Sequence, residues 1–527
     1  VSGFGDVLRA EWTKFRTVRG WTIGLIVGVI LMAFLGVFLA GSASIGCVQG
    51  NVQKSGRACL PYIPIGPGGE AVQDNFYFVR QPLTGDGSIT ARLTSLVSRS
   101  AAPGGPNSGR VRAHPVGGPG LPQGAKVLVP WAKGGIMIKA SLKQGSAYAA
   151  MLVTGSHGVR LQYDYTGDIA GLPGKVSAGS PRWLRLRRNG ETITGYDSVN
   201  GTDWTKVGTV TLPSLPRTVQ VGLFATSPQH LTVSAFFGGE SIQGGTTAAT
   251  AVLDHVRLSG ATGPGSWTGH DFGGGPSALV AAYQESAGTF TLTGSGDIAP
   301  LEPGPGGGNA PTATIERSLT GAFAILIAIV VVAASYITSE YRRGLIRTTL
   351  AASPSRGQVL TAKAAVAGVV AFVAGVVASV ACVVVGVRRE EAQGLFVLPV
   401  SVITEGRVIV GTGLLLGLMA VLAVCTGALL RRGGTAITLG IVVIVLPFLF
   451  AVIGVFPPTV AAWLLRLTPA AGFAIQQSIP NYPQIAALST PGSGDYPLVP
   501  WAGFAVLLAW VAAAFVLALI QLRRRDA

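Results

Sequence analysis

Six stretches of this chain run for about twenty residues or more without a charged side chain: 22–41, 318–338, 364–387, 408–430, 433–456 and 501–522. A bilayer's hydrocarbon core is about 30 Å thick and a helix rises about 1.5 Å per residue, so each run is long enough to cross it once. Backbone polar groups find no water in hydrocarbon, and a helix pairs them internally. The chain is therefore expected to hold six transmembrane helices. The first run is long, follows Arg9, Lys14, Arg16 and Arg19, and lacks a clear cleavage site, so it is expected to persist as an anchor rather than be removed as a leader.

The flanks of these runs set an orientation. Lys and Arg are retained on the cytoplasmic side of short loops. With the N-terminus inside, the inner segments hold 14 basic residues, among them five in 340–363, Arg431, Arg432 and Arg523 to Arg525; the outer short loops hold four, Arg388, Arg389, Arg407 and Arg466. Both termini are then cytoplasmic, and residues 42–317 form an extracellular insert of domain size. The net charge of +16 raises the question of nucleic acid. Fourteen of the 39 basic residues serve the membrane flanks, and no basic stripe interleaved with aromatics occurs elsewhere, so no nucleic-acid partner is expected.

The insert differs in kind. From 75 to 258 short alternating runs are separated by turn dipeptides: Ile89, Ala91 and Leu93 alternate with Thr90 and Arg92, and Leu184 and Leu186 with Arg185 and Arg187. Asn189-Gly190 supplies a tight hairpin. The pattern reads as an antiparallel sandwich, followed by a flexible PGPGGG tether at 303–308. Cys47 and Cys59 lie on the oxidising side, where a disulfide closing the neck is expected over two free thiols. Cys382 and Cys425 fall inside spans as small apolar residues. Four cysteines and no CxxC or HExxH grouping give no metal site.

An energy source is missing. Buried ionisable side chains mark proton or ion relays in membrane helices, and the six runs contain none, which disfavours a proton-coupled carrier. No GxxxxGK[ST] phosphate loop occurs either. If the chain transports, a separate ATPase has to meet it at the cytoplasmic face. Two segments suit that meeting. Residues 4–19 place Phe4, Val7, Leu8, Trp12 and Phe15 at three- and four-residue spacings beside basic residues, which describes an interfacial helix; a plain positive-inside flank needs the charges alone. Residues 340–363, EYRRGLIRTTLAASPSRGQVLTAK, mix Arg342, Arg343 and Arg347 with Leu345, Ile346 and Leu350, break at Ser353-Pro354 and resume as a helix.

Those two segments resemble the type-2 class of ABC exporter permeases. In that class an amphipathic helix similar to EWTKFRTVRG at 11–20 precedes the first of six spans, and the second span runs into a coupling helix similar to SEYRRGLIRTTLAASPSRGQVLTAK. The resemblance covers 1–41 and 318–527. It implies that Glu340, Tyr341, Arg342, Arg343, Gly344, Arg347 and Thr348 lie at or near the ATPase contact, that ATP and magnesium sit on that partner and no cofactor sits here, and that the pore forms with a second permease copy or a paralogue. Residues 74–93, 131–163 and 182–204 resemble a second family, the concanavalin A-like lectin/glucanase sandwich, in a form attached to actinobacterial-type permeases. The usual permease plan has a short first outer loop, so this insert departs from it.

Catalytic sandwiches of that family carry a strand of alternating acids, ExDxE, which is absent, so no hydrolase is expected. Tyr77, Trp131, Tyr148, Tyr163, Tyr165, Tyr196 and Trp204 are available to a sugar, although most are expected in the core. The segment Ser198 to Trp204 reads as a structural Asp-box turn, and His157 as a turn residue. Residues 459–490, with Pro469, Pro480 and Pro483, read as short outer helices in reach of the sandwich.

The expected fold class is thus an α-helical membrane protein of six transmembrane helices with an inserted all-β extracellular sandwich of concanavalin A-like jelly-roll type. Its parts are 1–41, the insert 42–317 with a sandwich at about 70–260, and 318–527. The expected role is the non-enzymatic permease subunit of an ATP-driven exporter in a bacterial cell membrane, surrounded by lipid, with an extracellular glycan, lipid or protein ligand open. The alternative is a cell-surface binding protein that the helices merely anchor.

Overall fold

The computed structural model describes residues 3–40, 46–49, 52–100, 129–236, 239–262, 266–273, 282–302, 311–342, 355–453, 456–485 and 496–524. Its helices are α1 (Phe4–Thr17), α2 (Arg19–Ala40), α3 (Ala322–Arg342), α4 (Arg356–Ala392), α5 (Val402–Leu430), α6 (Gly433–Gly440), α7 (Leu446–Ile453), α8 (Pro458–Leu467) and α9 (Pro500–Arg524). A π-helical turn, Ile441–Val445, joins α6 to α7 as one span. Six segments are long and apolar enough to cross a membrane, and they coincide with the six uncharged runs.

The helix ends differ from those runs. The third run begins at 364, yet α4 spans Arg356 to Ala392 and carries Lys363, 1% exposed, and Glu390, 0% exposed, within it. Glu340 in α3 is also buried. The expectation of spans without ionisable groups therefore fails at their ends. A count of uncharged residues stops at the first charge, whereas a helix continues past it when a partner elsewhere in the chain compensates the burial.

Helix α5 is the centre of the bundle, packing on α3, α4 and α9. It meets α4 through small residues: a Cβ at Gly417 would stand 2.9 Å from the Gly368 carbonyl oxygen, so any side chain there forces the two helices apart. Phe448 stacks on Phe473 with ring centroids 3.7 Å apart, seating the fifth span on the segment that follows α8.

The strands are β1 (Gly46–Gln49), β2 (Val52–Ser55), β3 (Val72–Asp74), β4 (Phe76–Ser100), β5 (Lys133–Lys139), β6 (Tyr148–Thr154) and β7 (Val159–Tyr163). Next come β8 (Gly167–Ala170), β9 (Arg182–Asn189), β10 (Thr192–Ser198), β11 (Thr205–Thr211), β12 (Thr218–Thr226), β13 (His230–Phe236) and β14 (Gly239–Gly245). The last are β15 (Thr247–Thr262), β16 (Thr268–Phe272), β17 (Ala282–Ser286), β18 (Thr289–Ser295), β19 (Ile298–Pro300), β20 (Thr312–Ala313) and, after α4, β21 (Phe396–Val397).

One long strand, β4, builds both layers of the sandwich. Its first half pairs with β12 and β16, and its second half with β9; β15 lies along much of its length. The first layer continues from β12 through β5, β6 and β7 to β8. The second runs from β15 through β18 to β17 on one side and from β9 through β10 to β11 on the other. Between the layers lies an apolar core that includes Val79, Ile89, Ile136, Met151, Leu161, Leu184, Leu186, Val221 and Leu292. Period-two alternation puts Leu184 and Leu186 into it and Arg185 and Arg187 outside.

The β9–β10 hairpin pairs Asn189 with Thr192, leaving Gly190 and Glu191 as its two-residue loop. Gly190 takes φ +60°, while Asn189 stays in the strand, so only one of the two expected left-handed residues is needed. The sandwich also continues beyond 260, since β16, β17 and β18 join its sheet. The Ser198 to Trp204 segment is a turn held by its own side chains: Ser198 Oγ accepts from the Gly201 amide at 2.9 Å, and Asn200 Oδ1 from Thr202 and Asp203 amides. His157 sits in a turn with its ring stacked 3.9 Å from Trp131.

The outer face of the first layer is closed by the neck. Phe76, Phe78, Tyr148, Tyr165, Phe224 and Phe272 cluster there beneath Val72 of β3 and Ile298 of β19. Two buried lysines cross it, Lys139 on Asp74 at 2.9 Å and Lys133 on Asp297 at 2.6 Å. From the neck, Ile63, Ala71 and Leu301 pack on Leu398 in the link between α4 and α5. Gln484 Nε2 donates to the carbonyls of Tyr165 and Thr166, and the Tyr482 amide to Glu302, so the segment after α8 touches the sandwich. β20 pairs in parallel with β21, and the sulfurs of Cys47 and Cys59 are bonded beside the β1–β2 hairpin.

Candidate functional site

The end of the bundle opposite the sandwich holds a buried charged joint. Helix α1 turns Val7, Glu11 and Phe15 inward, with Leu8 half-buried, while Phe4 and Trp12 are 42% and 45% exposed. The stripe read from sequence is thus split. Its packed side is centred on an acid, and Trp12 and Phe4 are left on the outer side.

Glu11 is 1% exposed because three donors meet it. Lys363 Nζ lies 2.6 Å from Oε2, Tyr336 Oη donates to the same oxygen at 2.7 Å, and Lys14 Nζ lies 2.8 Å from Oε1. Lys363 also reaches Glu340 Oε1 at 2.7 Å, and Lys14 reaches it at 3.1 Å. Two carboxylates and two ammonium groups cancel, which is the condition for holding charges away from water. The Tyr336 ring completes the seat: Lys363 Nζ stands 4.6 Å from its centroid, and Phe15 and Trp21 meet it edge-on at 5.4 Å and 5.0 Å.

Burial alone would push the Glu11 carboxyl up, but the Lys363 charge and the hydrogen bonds from Lys14, Lys363 and Tyr336 hold it below the usual carboxylate range. Lys14 moves the other way. Burial would lower it, and the two carboxylates hold it above the ordinary lysine value.

The joint ties three helices. Glu11 and Lys14 come from α1, Tyr336 and Glu340 from the last turns of α3, and Lys363 from the second turn of α4. The described chain on either side of 343–354 is therefore anchored at one point of the bundle. The re-entry is fixed a second time, since Arg356 donates to the Leu522 carbonyl near the C-terminus of α9 at 2.7 Å. Tyr341 is half-buried with Arg431 5.2 Å from its ring centroid, and Arg431 itself ends α5 in the left-handed conformation at φ 58°.

Of the seven residues expected at an ATPase contact, Glu340 and Tyr341 are turned into the bundle, and Arg342 ends α3. Arg343, Gly344, Arg347 and Thr348 lie outside the described residues. Glu11, Lys14, Tyr336 and Lys363 were not singled out from sequence. The available signal was an acid in the middle of the apolar stripe of α1, between Val7 and Phe15, together with a lysine at the edge of an apolar run.

The ABC-2 family transporter profile matches residues 175–527. No curated protein matches the chain. Solved structures with partial likeness include a functionally unknown protein from Saccharomyces cerevisiae, 12% identical, covering 42% of this chain and 88% of that one at a TM-score of 0.22. Scytalido-glutamic peptidase is 8% identical and covers 43% of this chain and 100% of its own at 0.24. A lectin from Bauhinia forficata is 10% identical, covering 40% and 90% at 0.19. Likenesses this remote carry no argument about the chain. The family profile spans about two thirds of the sequence and all but the first of the membrane helices, and on that ground this multi-pass membrane protein belongs to the ABC-2 family of transporter proteins.

Proposed function

We propose that the chain is the permease subunit of an ATP-driven exporter and that the joint is the fulcrum through which a cytoplasmic ATPase moves it. Membership of the ABC-2 family supports a membrane permease that associates with an ABC ATPase. The observation that carries the finer reading is the closed loop of contacts from Glu11 to Lys363 and Glu340, which binds α1 to both ends of the 343–354 segment. The basic flanks support a cytoplasmic position for this end and an outer one for the sandwich.

Arg343 and Arg347 then supply the charges for the ATPase contact, while Glu340 and Tyr341 anchor the chain before them to the bundle. ATP and magnesium bind the partner, whose closure pushes 343–354, and the neutral joint passes the push to α3, α4 and α1 together. A second copy or a paralogue supplies the other half of the pathway. To test the reading, Arg343→Glu and Arg347→Glu are introduced together and recovery of the ABC ATPase that co-purifies with the unaltered permease is measured. The expected result is loss of the complex with the permease still folded; unchanged recovery of ATPase refutes the contact.

A further inference from the structure

The open face of the second sandwich layer carries cations that nothing neutralises. Register places Arg257 on β15, Thr90 on β4, Arg185 on β9, Tyr196 on β10 and Lys206 on β11 in one row across the sheet. The adjoining row reads Ser259, Ser88, Arg187, Thr194 and Thr209. Arg187, Lys206 and Arg257 are exposed and make no ion pair among the described residues. The acid on this face in the neighbouring row, Asp254, is held by Arg92 at 2.6 Å. Asp86 and Glu191, at the hairpin end, bond the Gly190 and Ser214 amides.

Lys133, Lys139 and Arg160 are paired, whereas exposed Lys143, Lys175 and Arg217 make no ion pair among the described residues, so what marks this face is the alignment of its cations in one row. An unneutralised row on a strand face repels itself and is retained at a cost, which a polyanion laid across the strands would offset. Strands lie about 4.8 Å apart, so cations on alternate strands of the row, Arg257, Arg185 and Lys206, recur about every 10 Å, near the length of a disaccharide. Thr90 and Tyr196 stand between them, and serine and threonine hydroxyls flank Arg187 in the adjoining row. Neutral sugars are a poor match, because the indole faces they would stack on are taken: the Arg185 guanidinium lies 3.8 Å from the Trp204 centroid, and Arg92 lies over Trp183 at 5.6 Å. Anionic lipid is a poor match as well. The neck covers the outer face of the other layer, so this face points away from the bundle.

We infer that the face formed by β15, β4, β9, β10 and β11 binds an extended acidic polysaccharide, with Arg185, Arg187, Lys206 and Arg257 contacting its carboxylates. Placing that polymer in the cell envelope rests on the orientation proposed above; the binding itself does not, and it is measured without an ATPase.

The test uses the full chain in neutral detergent, immobilised, with polygalacturonate, dextran and inorganic polyphosphate as probes. Polygalacturonate is expected to bind and to weaken as salt rises. The triple variant R187E/K206E/R257E is expected to lose about tenfold or more in affinity at an unchanged thermal midpoint, since none of the three side chains is packed. Thr194→Glu, a single exposed change beside Arg187, is expected to weaken binding by a smaller factor. Equal binding of dextran, an unaltered affinity in both variants, or capture of polyphosphate without polygalacturonate overturns the inference.

Discussion

Replacing Lys363 with Met removes the charge that both buried carboxylates share while keeping most of the side-chain volume. Glu340 is left with Lys14 at 3.1 Å, and Glu11 with Lys14 at 2.8 Å and the Tyr336 hydroxyl, so one ammonium, itself 39% exposed, faces two buried acids. Breaking a buried ion pair by removing one partner costs about 3–5 kcal/mol, mainly because the orphaned charge stays away from water. At about 2–4 °C per kcal/mol for a large domain, the apparent melting midpoint falls by roughly 6–20 °C. The double variant K363M/E340Q restores neutrality, with Glu11 still paired to Lys14, and recovers about half of that loss or more. Heating detergent-solubilised protein and following the monodisperse peak by size-exclusion chromatography ranks the three proteins. If K363M melts with or above K363M/E340Q, uncompensated charge is not what the lysine prevents, and the argument for a neutral joint is wrong.

Two further outcomes follow from the same geometry. Gly417→Leu, at the close approach to the Gly368 carbonyl, is expected to separate α4 from α5, at about 1–3 kcal/mol or more, and to be read as a lower melting midpoint; Gly368 and Phe372 are the neighbours that would have to yield. The pH dependence of the joint is set by Glu11 and Lys14. Glu11 is lowered in the fold, so its contribution is full above the unfolded value of 4.5 and is lost as pH falls through the depressed one; Lys14 is raised, so its contribution is full below 10.5 and is lost only above that. Across about pH 5.5 to 9.5 both contributions are therefore full and constant, so these two groups are expected to add no pH dependence to the melting midpoint there, and a Glu11→Gln difference that varies across that window counts against the assignment.

The fold was legible where one physical constraint acts on consecutive residues. Hydrocarbon thickness demands a long apolar run, and the six runs all became helices. A half-buried strand demands alternation, and Leu184, Arg185, Leu186 and Arg187 took the faces that alternation assigns. The joint was not legible, because its constraint is non-local: Glu11 and Lys363 are 352 positions apart, and each looks like a flanking charge until its partner is placed beside it. The same reason hid the α4 ends, which an uncharged-run count cuts at 364 and 387. The strands after 260 were missed for a different reason. Ala282–Ser286 has no buried residue and Thr268–Phe272 buries only Phe272, so neither shows clear alternation, and β18 turns only Phe290 and Leu292 inward as large apolar side chains.

Helix α4 connects the two ends of the molecule. Its 37 residues make about 55 Å of helix, well beyond the roughly 30 Å of a bilayer core, so it projects on both sides. Near one end Lys363 sits in the joint; at the other, Arg57 of the neck pairs with Glu391 at 3.5 Å and Gly56 lies against the Ala392 carbonyl. Helix α3 holds Glu340 in the same joint, and the 3-10 turn Ile315–Leu319 that precedes it places Glu316 to accept from the Ser478 amide in the segment that touches the sandwich. A rigid rod pivoting at Lys363 by about 5° moves its far end, 29 residues away, by roughly 4 Å, more than a hydrogen bond tolerates. The contacts from Arg57, Glu302, Glu316 and Gln484 cannot all survive such a tilt unless the sandwich moves with the helix ends. A neck closed by a disulfide and seated on Leu398 ties the sandwich to those helix ends, so under the function proposed above a displacement at the charged joint would reorient the sandwich.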